Sequence, residues 1–354
     1  MAYTDIDKPT DYFETELYSG SSSDVTMNAL DFQPDWVWLK KISSSGDNLT
    51  YDSVRGTNKR LTINGTDAEV DRSGNNDELK AFNSDGWTLG TWNSNVTGSG
   101  SSNVSWNWKA GTSFTNDASS TGVGTIDSSG SVSDTSGFSI VIRTGTASAG
   151  TIKHGLSTVP KMIITKMRNA VENWGIYHVG IGNTKYLKLD ANDVEDSSSG
   201  VWNNTTPTAS VFSVGSSALV NGSGKTYVDY IFSDVQGYSK FGSYTGNGNA
   251  DGPFVYTGFK PAWIMIKKAT GSANNWYMMD NKRTPNNVSV KYLLADTNAV
   301  EETGSGQERD FLSNGFKIRN SNNGLNTSGE TYVYMAFAES PFVNSAGAVP
   351  TNAK

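Results

Sequence analysis

Three stretches of the chain read alike: PDWVWLK from Pro34, PKMIITK from Pro160 and PAWIMIK from Pro261. Each has a proline, a large apolar residue two positions on, and a lysine six positions on, at Lys40, Lys166 and Lys267. A small-residue turn precedes each proline by 14, 15 and 15 residues, at Ser19-Gly20, Thr144-Gly145 and Thr245-Gly246. Further apolar stretches begin at Asn48, Asn173 and Asn275, and then at Arg60, Tyr186 and Tyr292. A Gly-aromatic step follows at Gly86-Trp87 and Gly315-Phe316, where the middle copy has Val211-Phe212. Closing strands start at Val104, Val228 and Val333, which lie 70, 68 and 72 residues after the prolines. Agreement at so many landmarks predicts a threefold internal repeat, and a repeat constrains the fold more than any single motif does.

The closing strands show what is repeated. Val104, Trp106 and Trp108 share one face, as do Val228, Tyr230 and Phe232, and Val333, Met335 and Phe337. A period of two with an apolar face describes a strand on a core. With abundant Ser, Thr, Asn and Gly and few helix formers, the chain is expected to be all-β: three tandem related antiparallel β-sandwich units, jelly-roll-like. The units are placed at 13–110, 137–235 and 238–343. An arm (1–12) precedes them and a tail (344–354) follows. Between the first two, residues 111–136 hold 17 Ser, Thr or Gly in 26 and read as a linker or extended hairpin.

Two tryptophans two residues apart, Trp36 and Trp38, resemble a sugar-stacking platform. The corresponding positions hold Met162 and Ile164, and Trp263 and Met265, and the intervening positions are almost all apolar. A strand apolar on both faces is normally buried on both. Pro34, Trp36, Trp38, Trp106, Trp108, Pro160, Tyr230, Phe232, Pro261, Trp263, Met335 and Phe337 are therefore read as repeat core. Pro34 is expected to start its strand and Lys40 to emerge at the end of it.

Little points to chemistry. The chain has no cysteine, which removes disulfides, thiolate metal sites and cysteine nucleophiles. Net charge is −7 with no long basic cluster, so no nucleic-acid partner is expected. No apolar run is long enough for a membrane span, and the first residues lack a secretory signal pattern. The two histidines, His154 and His178, stand in no catalytic or zinc motif, so no catalytic residue, resident metal or cofactor is assigned. Asp190, Asn192 and Asp193 offer oxygen ligands at short spacing that calcium would accept, against the plainer reading of a solvated loop. Asp52-x-x-Arg55 and Asp280-x-x-Arg283 read as ion pairs at strand ends. Trp92, Asn93, Trp202 and Asn203, in polar stretches, are the candidates for stacking on and hydrogen-bonding a sugar.

The opening MAYTDIDKPTDYFETELYSG, PDWVWLK followed by YDSVRG, the FNSDGWTLG and NWKAGTSFTNDASSTGVGTID blocks, YSKFGSYTGNGNADGPFVYTGFKPAWIMIK and the ending YMAFAESPFV carry a further likeness. Together they resemble an uncharacterised repeat-domain family of virion structural, tail-fibre-like proteins from tailed, mainly marine, bacteriophages. The resemblance spans essentially the whole chain. It implies a non-enzymatic virion component made in the host cytoplasm, most naturally a tail fibre or tail-associated adhesin touching host surface polysaccharide or a receptor. The alternatives are a capsid or head decoration protein and, more remotely, a glycan depolymerase. Expected partners are other virion proteins and copies of the chain itself, a trimer if it is a fibre.

Overall fold

The computed structural model describes residues 3–304 and 306–348. Strand dominates, every α-helix is a single turn, and all paired strands run antiparallel. The chain is all-β. Three long sheets follow one strand order. In the first, Phe13–Ser19 is followed by Ser102–Trp108, Trp36–Lys41, Leu49–Asp52, Lys59–Thr62 and Val70–Asp71. The third runs Ser239–Thr245, Thr331–Pro341, Phe259–Lys268, Trp276–Asp280, Lys291–Leu294 and Glu302–Thr303. The second repeats this order from Phe138–Thr144 through Thr226–Phe232, Met162–Met167, Trp174–His178 and Lys185–Lys188 to Asp196–Ser197. It also adds Ser128–Ser133 and Thr112–Asn116 outside the first of these strands. The Ser-rich stretch after Gly111 is thus largely a hairpin.

Each long sheet is buried on both faces, which is why its central strands are apolar at consecutive positions. On one face it packs against a short sheet of its own. Val37, Leu39 and Tyr51 meet Leu79, Trp87 and Leu89 in the first sandwich. Val141, Ile163 and Ile231 meet Ile152, Phe212 and Val214 in the second. Ile264, Ile266 and Met279 meet Val255, Phe316 and Ile318 in the third. The other faces of all three long sheets converge on one shared core. It contains Trp36, Trp38, Trp106 and Trp108 with Ile164, Tyr230 and Phe232, and with Trp263, Met335 and Phe337. Rings meet across the sheets: Trp36 stacks on Tyr230 with centroids 4.5 Å apart, Phe13 stacks on Phe337 at 4.8 Å, and Trp108 meets Trp263 edge-on at 5.8 Å. Ile6, from the N-terminal arm, closes part of the same core.

The prolines are buried. Pro34 and Pro160 lie two residues ahead of their strands, whereas Pro261 lies inside Phe259–Lys268, at a register shift that accommodates its missing N–H. The lysines correct the expectation of emergence. Lys40, Lys166 and Lys267 are each wholly buried. Their ammonium groups join the sheets in a cycle. Lys40 Nζ donates to Gly46 O in its own sandwich and Thr297 O beside the third sheet, both at 2.8 Å. Lys166 Nζ donates to Glu172 O nearby and to Thr66 O beside the first sheet, the latter at 2.8 Å. Lys267 Nζ donates to Asn274 O and to Asn192 O beside the second, again 2.8 Å for the cross-sheet bond. Main-chain bonds follow the same cycle: Gly46 N–H to Asn298 O, Glu172 N–H to Thr66 O and Asn274 N–H to Asn192 O, all 2.9 Å. A buried ammonium is tolerated only because carbonyls replace its water, and burial still pushes all three down to about 8.

Candidate functional site

The calcium candidates do not converge. Asp190 accepts from Trp174 N–H at 3.0 Å and Asn173 Nδ2 at 2.9 Å, so its carboxylate caps a strand, and burial pushes its carboxyl pKa up. Asp296 accepts from Trp276 N–H at 3.1 Å and Asn64 Oδ1 from Asn48 N–H at 2.6 Å, in the corresponding places. Asn192 lends its carbonyl to Lys267, while Asp193 pairs with Lys188 at 3.1 Å. Among the described residues no group of three or more His, Asp or Glu is placed to hold a metal ion.

The four sugar-binding candidates separate. Trp202 is 1% exposed and its ring meets Tyr177 edge-on, so it offers no face to a ligand; the helical turn Ser199–Trp202 turns it into the sandwich core. Asn203 is exposed and ends that turn in a left-handed conformation. Asn93 Oδ1 caps the turn Ser94–Thr97 by accepting from Asn95 N–H at 3.0 Å, as Ser217 and Asn322 cap the turns before the other closing strands. Trp92 is 55% exposed, but Arg72 covers one face of its ring at 3.4 Å and is itself held by both oxygens of Asp77. One ring face is free.

Both histidines are structural. His178 Nδ1 accepts from Gly180 N–H and its Nε2–H donates to Tyr334 O, each at 3.0 Å. His154 makes the same pair of bonds, with Leu156 N–H at 3.2 Å and Thr208 O at 3.1 Å. That pattern assigns one neutral tautomer to each ring. Burial pushes both down to about 4. Neither is placed to move a proton at neutral pH.

The Asp-x-x-Arg pairs form: Arg283 Nε reaches Asp280 at 2.6 Å, and Arg55 pairs with Asp52. Their carboxylates also accept from the neighbouring sheet, Asp52 from Tyr230 OH at 2.7 Å and Asp280 from Trp106 Nε1 at 3.4 Å. His178 stands where the second sheet would carry this aspartate, opposite Met162 as Asp52 is opposite Trp36 and Asp280 opposite Trp263.

The surface also carries hollows. A hollow of about 660 Å3 lies where the hairpin Thr112–Ser133 meets the end of Phe138–Thr144. Its lining includes Thr115, Asp117, Ser129, Thr144, Arg168 and Thr226. Hydroxyls with charges of both signs suit hydrogen bonding to a hydroxylated ligand. Nothing in the sequence marked this place except the Ser, Thr and Gly richness of residues 111–136.

Fold and surface together define an all-β sandwich protein. The family described as "Domain of unknown function (DUF7483)" matches residues 8–341, and the chain belongs to that family. No curated protein and no solved structure matches it.

Proposed function

We propose that the chain is a non-enzymatic structural component of a tailed-phage virion, a tail fibre or tail-associated adhesin, built from three tandem related sandwiches. The observation that carries this reading is the shared central core, which makes a stiff body of loops and sheets without a disulfide or cofactor. Both histidines and the Asp-x-x-Arg carboxylates are committed to structural bonds, which fits a scaffold better than an enzyme. In this reading the hydroxyl-lined hollow and the free face of Trp92 contact host polysaccharide. Labelled antibody on intact particles tests it. Label on the tail, together with binding of the purified chain to host surface polysaccharide, is the expected result; label confined to the head refutes the tail assignment.

The second reading, a capsid or head decoration protein, is favoured by one feature. No described element is long enough for a fibre shaft, the longest being the 11-residue strand Thr331–Pro341. The same labelling experiment separates the two.

A further inference from the structure

Two aromatic residues two positions apart, buried at Trp36 and Trp38, recur on the surface. The outer strand of the third short sheet, Phe254–Tyr256, turns Val255 into the sandwich opposite Phe316. Phe254 and Tyr256 then point outward, 45% and 54% exposed. With Trp92 they are the exposed aromatic side chains among the described residues. The other two sandwiches show what these places ordinarily hold. Met27 faces Trp87 and Ile152 faces Phe212 as Val255 faces Phe316. Thr26 and Thr151 therefore stand where Phe254 does, and Asn28 and Lys153 where Tyr256 does. The outward side of a sheet buried on one face is ordinarily polar, and only the third sandwich fills both places with rings.

Glycines lie beside both rings. Phe254 Cε2 stands 3.1 Å from the place a Cβ on Gly315 would take, so the ring leans across bare main chain. Tyr256 has Gly258 next to it, and its hydroxyl lies 3.2 Å from that of Tyr3 in the N-terminal arm. Charges surround the rings, already paired with one another. Lys317, opposite Phe254, meets Asp251 at 2.7 Å, and Asp310, opposite Lys317, meets Arg319 at 3.5 Å.

We propose that Phe254 and Tyr256 form a stacking site for a neutral polysaccharide of equatorially linked hexoses. Size argues for this class. Two half-exposed rings offer on the order of 200 Å2 of apolar area. A stable protein interface buries about 800 Å2 on each partner, whereas one or two sugar rings need no more than the two side chains give. Charge argues for a neutral ligand, since the flanking ions neutralise each other and the chain carries a net −7 that repels polyanions. Equatorial hydroxyls leave a flat face of C–H groups to lie on a ring, while the hydroxyls at its rim meet Asp251, Lys317 and the Tyr256 hydroxyl. The two Cα atoms are about 7 Å apart along the strand, so a sugar chain laid parallel to it meets both rings. The site is separate from Trp92 and the hydroxyl-lined hollow, and the proposal does not depend on the virion reading.

The test is an NMR titration of the whole chain, ring-labelled at Phe, Tyr and Trp, with cellohexaose, laminarihexaose and β-1,4-galactohexaose. At millimolar sugar, at least one hexaose should shift the ring signals of Phe254 and Tyr256 and leave the Trp92 signal in place. Phe254→Ala and Tyr256→Ala should each weaken that binding at least tenfold, and Phe254→Trp should keep it. Both side chains are half-exposed, so these variants should melt with the parent. The proposal is overturned if none of the three hexaoses moves the two ring signals, or if binding is indifferent to both alanine variants. It is equally overturned if sedimentation shows self-association of the chain that both alanine variants abolish, because the rings then cover another copy. Shifts confined to Trp92 would refute this site and leave the polysaccharide contact at Trp92 standing.

Discussion

His178 is 1% exposed and has both ring nitrogens spent on main-chain atoms, so it supports the fold only while neutral. Its folded pKa of about 4 lies below the ordinary value of 6.5. As pH falls the unfolded chain takes the proton first, so the contribution is complete above about 6.5 and disappears between 6.5 and 4. At about 1.4 kcal/mol per unit, the loss is on the order of 3 kcal/mol. Burial raises Glu14 to about 7 and Asp296 to about 6, and these work the other way, adding stability as pH falls through their folded values. The clean measurement is therefore a difference. Urea unfolding of His178→Asn between pH 7 and 4 should show a shallower acid loss than the parent by about that amount. A second residue-scale expectation concerns the buried pair Arg143–Asp229, bonded at 2.7 and 3.0 Å, with Thr165 Oγ1 adding 2.6 Å to the same carboxylate. Arg143→Met leaves a buried carboxylate without its cation and should cost roughly 3–5 kcal/mol in denaturant unfolding, whereas a surface pair would cost under about 1.

At the scale of elements, the repeated lysine closes each strand onto its neighbour. Lys166→Met strips donors from Thr66 O and Glu172 O, and should cost about 2–4 kcal/mol by the same assay. Strands with period two or with apolar runs were legible in the sequence, because burial on one or two faces writes itself directly into side-chain order. Core assignments such as Trp36, Tyr230 and Phe337 follow from the same logic. The lysines were not legible: a Lys after an apolar run ordinarily reaches water, and only a carbonyl supplied by another sheet changes that. Trp202 was misleading for the converse reason, since a single helical turn decides which way its ring points. Register also hides. The copies align at Asn48, Asn173 and Asn275 by letter, yet Asn48 O, Trp174 O and Trp276 O accept the corresponding bonds, from the N–H groups of Ile63, Leu189 and Ala295. The first stretch is offset by one, and Asn48 Nδ2 takes the place of an indole N–H: it donates to Leu294 O, as Trp174 does to Thr62 O and Trp276 to Lys188 O.

For the whole molecule, the shared core ties the sandwiches into one cooperative body. Residues 13–110 alone would expose the face that carries Trp36, Trp38, Trp106 and Trp108, an apolar area that no other part of that segment covers. That fragment should fail to give a dispersed NMR spectrum or should self-associate, while the whole chain melts in one calorimetric transition; three resolved transitions would contradict the coupling. The burial has an optical consequence as well. Nine of the ten tryptophans are at most 1% exposed and Trp92 alone faces solvent. The folded chain should emit in the blue, with a small fraction of its fluorescence open to iodide and the rest shielded. Trp92 is thus an intrinsic reporter on the surface, and any ligand that covers its free ring face announces itself by closing off that fraction.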